Sequence, residues 1–259
     1  MQVLRLYFRH VAIHVRAAME YRASFALMLV IQVLTPLSAL AGVYFLFQNF
    51  GALQDWTLPQ ILLCFAVTYL SFALAECFGR GFDTFSRLIR QGSFDRLMVQ
   101  PRNLILLTFC SDFALNRVSK IGLALCLLVY AALHAGIRWT AYKLLVLVLM
   151  ALSGTLVFLG VWIAFAALCF VTIEGLEVVN IFTDGGRELS SYPLDIYLKP
   201  VCRFFTLVIP FGVMNYLPLR FLVGKAPAIY GLSPLYALPF LAACVGVFYL
   251  GVRHYRSAG

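Results

Sequence analysis

Residues able to do chemistry are few in this chain of 259, where only 12% of positions are charged. Its four lysines are followed by Ile, Leu, Pro and Ala, so none can close the G-x-x-x-x-G-K-[ST] loop that cradles nucleotide phosphates. Neither G-x-S-x-G nor H-E-x-x-H occurs, and no Cys/His pairing does either. His10 and His14 have the i, i+4 spacing of a two-histidine metal site. No third ligand accompanies them and they lie toward the apolar side of their segment, which favours an interfacial structural role. The seven cysteines, Cys64, Cys77, Cys110, Cys126, Cys169, Cys202 and Cys244, are widely spaced and mostly inside apolar runs. There cysteine behaves as a small hydrophobe, so neither a disulfide framework nor a zinc site is indicated. The sequence thus assigns no catalytic residue, no metal ligand and no cofactor to this chain.

One polar stripe remains. At about 100° per residue Glu177, Asn180, Asp184, Arg187 and Glu188 fall on one helix face about 100° wide, with Glu174 near its edge. Ionisable groups at membrane depth are costly unless they face protein or a water-filled cavity. Two readings stay open. The stripe lines a path that, with four acids against one arginine, favours a cationic or amphipathic substrate; or Asp184 and Arg187 pair at i, i+3 and the other acids sit hydrated at an interface.

The elements that position these residues follow from composition. With 63% of residues hydrophobic, the chain lacks the polar surface of a water-soluble globule. Several apolar runs reach the roughly 20 helical residues that cross a hydrocarbon core. Spans are expected at 24–47, 58–78, 121–137, 144–171, 173–189 and 235–252, the fifth less hydrophobic than the others. An interfacial approach helix at about 104–120 precedes the third. Residues 25–34 and Ala39-Leu40-Ala41 imitate a signal peptide, but the apolar run continues past the cleavage site. Residues 1–22 read as an amphipathic helix lying on the membrane, because Arg5, Arg9, Arg16 and Glu20 cluster on one side.

The formal charge of +9 comes from 20 Lys+Arg against 11 Asp+Glu. The arginines flank apolar runs and form no contiguous basic face, so they mark topology and anionic lipid rather than nucleic acid. Arg80, Arg87, Arg90, Arg96 and Arg102 place the stretch 79–103 in the cytoplasm, and both termini with it. Between the fifth and last spans Pro193, Pro200, Pro210 and Pro218 forbid one continuous helix and predict short helices over 190–220 at the outer side.

The stretch 79–103 is the most informative. Phe78, Phe82, Phe85 and Ile89 repeat at helical spacing against Arg80, Asp83, Arg87 and Arg90, which predicts an amphipathic continuation of span two with an Asp83–Arg87 pair. Gly92 breaks it, Ser93 caps a new turn, Phe94 to Val99 form a short helix, and Pro101 ends that helix. Such an elbow can receive force from a soluble partner.

At these residues the chain resembles the ABC-2 type of ABC-transporter permeases, and within it the subgroup that includes viologen exporters. The resemblance rests on Glu76 with Phe78-Gly79-Arg80-Gly81, and on Gly92-Ser93-Phe94-Asp95-Arg96-Leu97 with Pro101 after it. It extends to Tyr192-Pro193-Leu194-Asp195-Ile196-Tyr197, Ile209-Pro210-Phe211 and Asn215-Tyr216-Leu217-Pro218. Gln100 departs from the basic residue such permeases often carry before the proline. The resemblance implies a single permease domain over 1–259: an all-α integral membrane protein of six transmembrane helices with cytoplasmic termini. It further implies a multi-pass exporter subunit of the cytoplasmic membrane that dimerises with itself or a related permease. A cytoplasmic ABC ATPase would bind the ATP and Mg and engage a coupling helix at Gly92, Ser93, Phe94, Asp95, Arg96 and Leu97. Phe94 and Asp95 are then expected at the partner surface. Glu177, Asn180, Asp184 and Arg187 are the candidate path residues. An ATPase-independent channel or secondary transporter, or a membrane-embedded enzyme, are the alternatives.

Overall fold

The computed structural model describes residues 22–50, 55–112, 117–170 and 176–255, all helical or connecting. The expected surface helix at 1–22, with His10 and His14, lies outside the described residues except for its last position, as does Glu174.

The first helix, α1 (Arg22–Phe50), leads to α2 (Leu58–Phe78). Gln60 starts α2 by accepting the Thr57 amide at 3.3 Å, and Pro59 takes a first-turn position where no amide partner is needed. Three short helices follow: α3 (Arg80–Asp83), α4 (Phe85–Arg90) and α5 (Ser93–Met98). Then come α6 (Leu104–Ser111) and α7 (Val118–His134), the approach helix and the apolar helix it leads to. In α8 (Ala141–Leu168) Thr140 caps the first turn, accepting the Lys143 amide at 3.3 Å. After α9 (Leu176–Ser190) the proline-rich stretch folds as α10 (Lys199–Leu207), a π-turn at Gly212–Tyr216 and α11 (Leu217–Leu222). A 3-10 segment (Ala228–Tyr236) feeds the last helix, α12 (Ala237–His254). Pro200 and Pro218 each stand in the first turn of a short helix, where proline costs nothing.

Among the described residues four helices are long and apolar enough to cross a membrane: Ala26–Phe45, Leu58–Phe78, Ala141–Leu168 and Ala228–His254. A fifth is reached if Lys199–Leu207 and Gly212–Leu222, bent by 88°, count as one broken span. The expected six therefore does not follow from length and apolarity. Val118–His134 is too short, and α9 carries Asp184, Arg187 and Glu188.

Burial ranks these helices. The apolar window of α2 is 83% buried, against 11% in α1 and 17% in the segment ending with α12. The centre is α2, packed on α7 and α8, while α12 lies along α8. The outer faces of α1 and α12 are left to lipid or another chain, with Leu27, Leu34, Phe45, Leu238 and Leu250 exposed. In the centre, backbones approach through small residues. Ser71 of α2 donates to the Ala151 carbonyl of α8 at 3.0 Å, and a Cβ at Gly154 would lie 2.3 Å from the Ser71 hydroxyl oxygen. Gly154→Ala therefore forces α2 and α8 apart and is expected to cost about 1–3 kcal/mol. Gly122 meets nothing within 4 Å, so Gly122→Ala should leave stability unchanged or raise it. Thermal unfolding of both variants in detergent checks the contrast.

Candidate functional site

Two regions concentrate the polar and positional constraints: the elbow after α2, and a layer of charge between α2, α7 and α9.

The expected continuous amphipathic helix is broken at Gly79 and again at Thr84. Phe82, Phe85 and Ile89 are buried as their spacing requires, but Phe78 is 44% exposed because the break rotates it out of register. The Asp83–Arg87 pair is replaced as well. Asp83 pairs with Arg80, and Arg87 reaches Asp112 at the end of α6 at 3.3 Å. Burial pushes the Asp83 carboxyl above its ordinary range against the pull of Arg80, with Glu76 adding to the rise. The elbow is clamped onto α6 at Gly81, where an added Cβ would lie 1.8 Å from the Thr108 carbonyl oxygen.

Gly92 turns the chain at φ +63°, the left-handed region open to glycine, and α5 starts there. Ser93 accepts from the Arg96 guanidinium at 3.1 Å across the first turn. Phe94 departs from the expected partner surface: it is 0% exposed, its ring 5.2 Å from Phe85 and 5.3 Å from both Phe170 and Tyr255. Phe82, Phe109 and Phe248 continue this aromatic cluster into α6 and α12. Asp95 also faces inward, toward Tyr255; burial and that carboxylate raise the phenol above its ordinary range. Leu97 packs on the same core. What α5 presents outward is Arg96 and Met98, followed by Val99 at 85% exposure. The pattern of burial is that of a helix whose inner face is fastened to the ends of α8 and α12.

The charged layer forms where α9 runs along α2. Ser190, its last residue, is level with the middle of α2: the Ser190 carbonyl accepts from Thr68 at 2.8 Å and from Asn215 of the π-turn at 2.9 Å. One turn earlier Arg187 holds Asp184 at 3.0 Å and Glu188 at 2.8 Å. Its guanidinium lies 4.9 Å from the Phe72 ring centre and 5.4 Å from Tyr69, a cation–π arrangement that favours a desolvated arginine. Tyr69 donates to Glu188 at 3.2 Å. The i, i+3 pair of Asp184 and Arg187 is thus present, and it is joined to α2. Asp184 and Arg187 come together; the side chains of Glu177 and Asn180 lie outside the described residues.

Toward the C-terminal end of α2, Glu76 is held between Lys120 at 2.9 Å and Arg117 at 3.2 Å, and Gln32 of α1 accepts from Arg117 at 2.7 Å. This triad was missed as a unit. Its signal was a single acid in an apolar span and two cations at i, i+3 on the approach to another, which only long-range pairing can join. Among the described residues no group of three or more His, Cys, Asp or Glu is placed to hold a metal ion, and all seven cysteines are free.

Comparison with known proteins adds one finding: residues 33–259 match the model of a family described as ABC-2 family transporter protein. No match was found among curated proteins or solved structures.

The triad generates a stability prediction. Glu76→Gln leaves two cations without their carboxylate in a site where the Glu76 side chain is 8% exposed, which should cost about 3 kcal/mol. Lys120→Met in the Glu76→Gln background should recover part of that loss, as chemical denaturation in detergent would measure.

Proposed function

We propose that this chain, which belongs to the ABC-2 family of transporter proteins, is the membrane-spanning permease subunit of an exporter energised by a separate ATPase. In this reading six helices cross the cytoplasmic membrane, α9 and α7 included, and both termini lie in the cytoplasm. Two permease subunits, identical or related, and two ATPase subunits form the working unit, with ATP and Mg on the ATPases. The short motifs around Gly92 and Asn215 support placing the chain with the viologen-exporter subgroup.

The observation that carries the reading is the construction of α5. Phe94 and Leu97 fasten its inner face to the ends of α8 and α12, while Arg96, Met98 and Val99 are left outward on a loop edge. An exposed valine beside an arginine is poor design for a free cytoplasmic surface and good design for a groove on a soluble partner. Force applied at α5 would pass through the aromatic cluster to α8 and α12, and through Gly81 to α6. ATP-driven closure of the partner could then bias two arrangements of the helices and open the path alternately to each side.

The path itself is assigned to the charged layer, with Asp184, Arg187 and Glu188 joined by Glu177 and Asn180. Support comes from Asp184 and Glu188, whose side chains stay about half exposed although Arg187 beside them is mostly covered. Half-exposed acids in such a layer favour a cationic or amphipathic substrate.

Co-expression and purification in mild detergent should yield the chain with a soluble ATPase whose turnover the permease alters. Val99→Asp together with Arg96→Glu should reduce ATP-driven export at least tenfold with stability unchanged, because both positions are outward. Phe94→Ala should instead cost roughly 3–5 kcal/mol of stability. Export without any ATPase would make the chain a channel or secondary transporter, and substrate turnover by the isolated chain would make it an enzyme.

A further inference from the structure

We propose that the seam between α6 and α12 is a binding site for one anionic phospholipid of the cytoplasmic leaflet. A groove of about 610 Å³ opens there. Its floor is Ile105, Leu106 and Phe109 of α6 with Val245 and Tyr249 of α12, and its rim carries Arg102. No acidic side chain lines it among the described residues. Arg102 is exposed just before α6, and Arg253, also exposed, stands one turn beyond Tyr249 on the same side of α12. The groove thus has an apolar bed long enough for part of an acyl chain, with Arg102 at its rim and Arg253 on the turn of α12 beyond its Tyr249 edge.

The Asn103 side-chain oxygen at the mouth is already engaged. Asn103 accepts from the amides of Ile105 at 2.9 Å and Leu106 at 3.4 Å and from the Tyr249 hydroxyl at 3.1 Å, which ties α6 to α12 beneath the rim. Arg102 at the rim and the Asn103 side-chain amide N–H group offer donors to an anion, with Arg253 one turn beyond Tyr249, and a phosphate ester matches the guanidinium fork geometry. A free anion would fill only the rim and leave the apolar bed open to whatever surrounds it. A phospholipid satisfies both parts at once. The cytoplasmic leaflet is where anionic lipids and juxtamembrane arginines meet. That placement rests on the topology proposed above. The groove also backs onto the aromatic cluster through Phe109, which stacks edge-on against Phe82 at 4.9 Å. A lipid here therefore adjoins the elements that hold α5.

Native mass spectrometry of the full chain in mild detergent tests this, with phosphatidylglycerol and phosphatidylcholine of the same acyl chains as probes. The chain should retain phosphatidylglycerol roughly tenfold better than phosphatidylcholine. Arg102→Gln with Arg253→Gln should erase that preference, and Leu106→Trp, which fills the bed with both arginines intact, should abolish retention of the tight-binding copy. Arg138→Gln, at an exposed arginine outside the groove, should change nothing. Equal retention of the two lipids, an undiminished preference in the double arginine variant, or an equal loss in Arg138→Gln would overturn the site. Retention is read without any ATPase, so its failure leaves the permease reading standing. A cysteine at Gly92 labelled from outside would instead overturn the topology.

Discussion

The interior depends on how one carbonyl, that of Ser190, is satisfied. α9 ends there, alongside Cys64 and Thr68, about 9–15 Å from the N-terminal end of α2 at 1.5 Å per residue. Hydrocarbon supplies no hydrogen bonds, so within a membrane a chain can leave the helix only where protein supplies donors. Thr68 and Asn215 supply them, and the Asn215 amide also reaches the Cys64 carbonyl at 3.0 Å. This draws the π-turn into the core and bends the stretch from α10 to α11 by 88°. The proline-rich segment is therefore more than an outer cover: its middle dips down to complete the hydrogen bonds of the broken helix.

With the end of α9 fixed, its charges have a defined place. Arg187 meets Tyr69 and Phe72, and Glu188 meets Tyr69, all on the most buried helix of the fold. Toward the C-terminal end of α2 Glu76 balances Lys120 and Arg117, and beyond it Asp83 balances Arg80. Charge thus accompanies α2 from its middle to the elbow, each of these groups paired. The elbow ends the series differently, in rings rather than charges. Seven aromatic side chains from α3, α4, α5, α6, α12 and the ends of α8 and α12 make one cluster, a stiffer connection than exposed ion pairs because packed interiors transmit displacement.

The sequence displayed the membrane class, most helix positions and the break at Gly92, because apolar runs, prolines and glycine act locally. The spacing of Phe82, Phe85 and Ile89 likewise announced a buried face. It could not announce that Gly79 and Thr84 would interrupt the helix, since the cause is contact with α6 and α8: a Cβ at Gly79 would lie 2.3 Å from Leu159. Phe94 was placed outward because its own short helix has no partner in sequence; its partners Phe170 and Tyr255 are far along the chain. The Asp184–Arg187 pair was legible from i, i+3 spacing, whereas the Glu76 triad and the Asn215 contacts join residues 25 or more positions apart and leave no periodic trace.

If an ATPase acts on α5 as proposed, the elbow moves with α12 as one body. Spin labels at Gln91 and Arg253, both exposed, report on that body, and labels at Gln91 and Val118 report on its movement against α7. In a complex with the ATPase proposed above, the Gln91–Arg253 distance should be the same without nucleotide and with ATP trapped, while the Gln91–Val118 distance changes. A nucleotide-dependent change between Gln91 and Arg253, with Gln91 and Val118 fixed, would contradict the account.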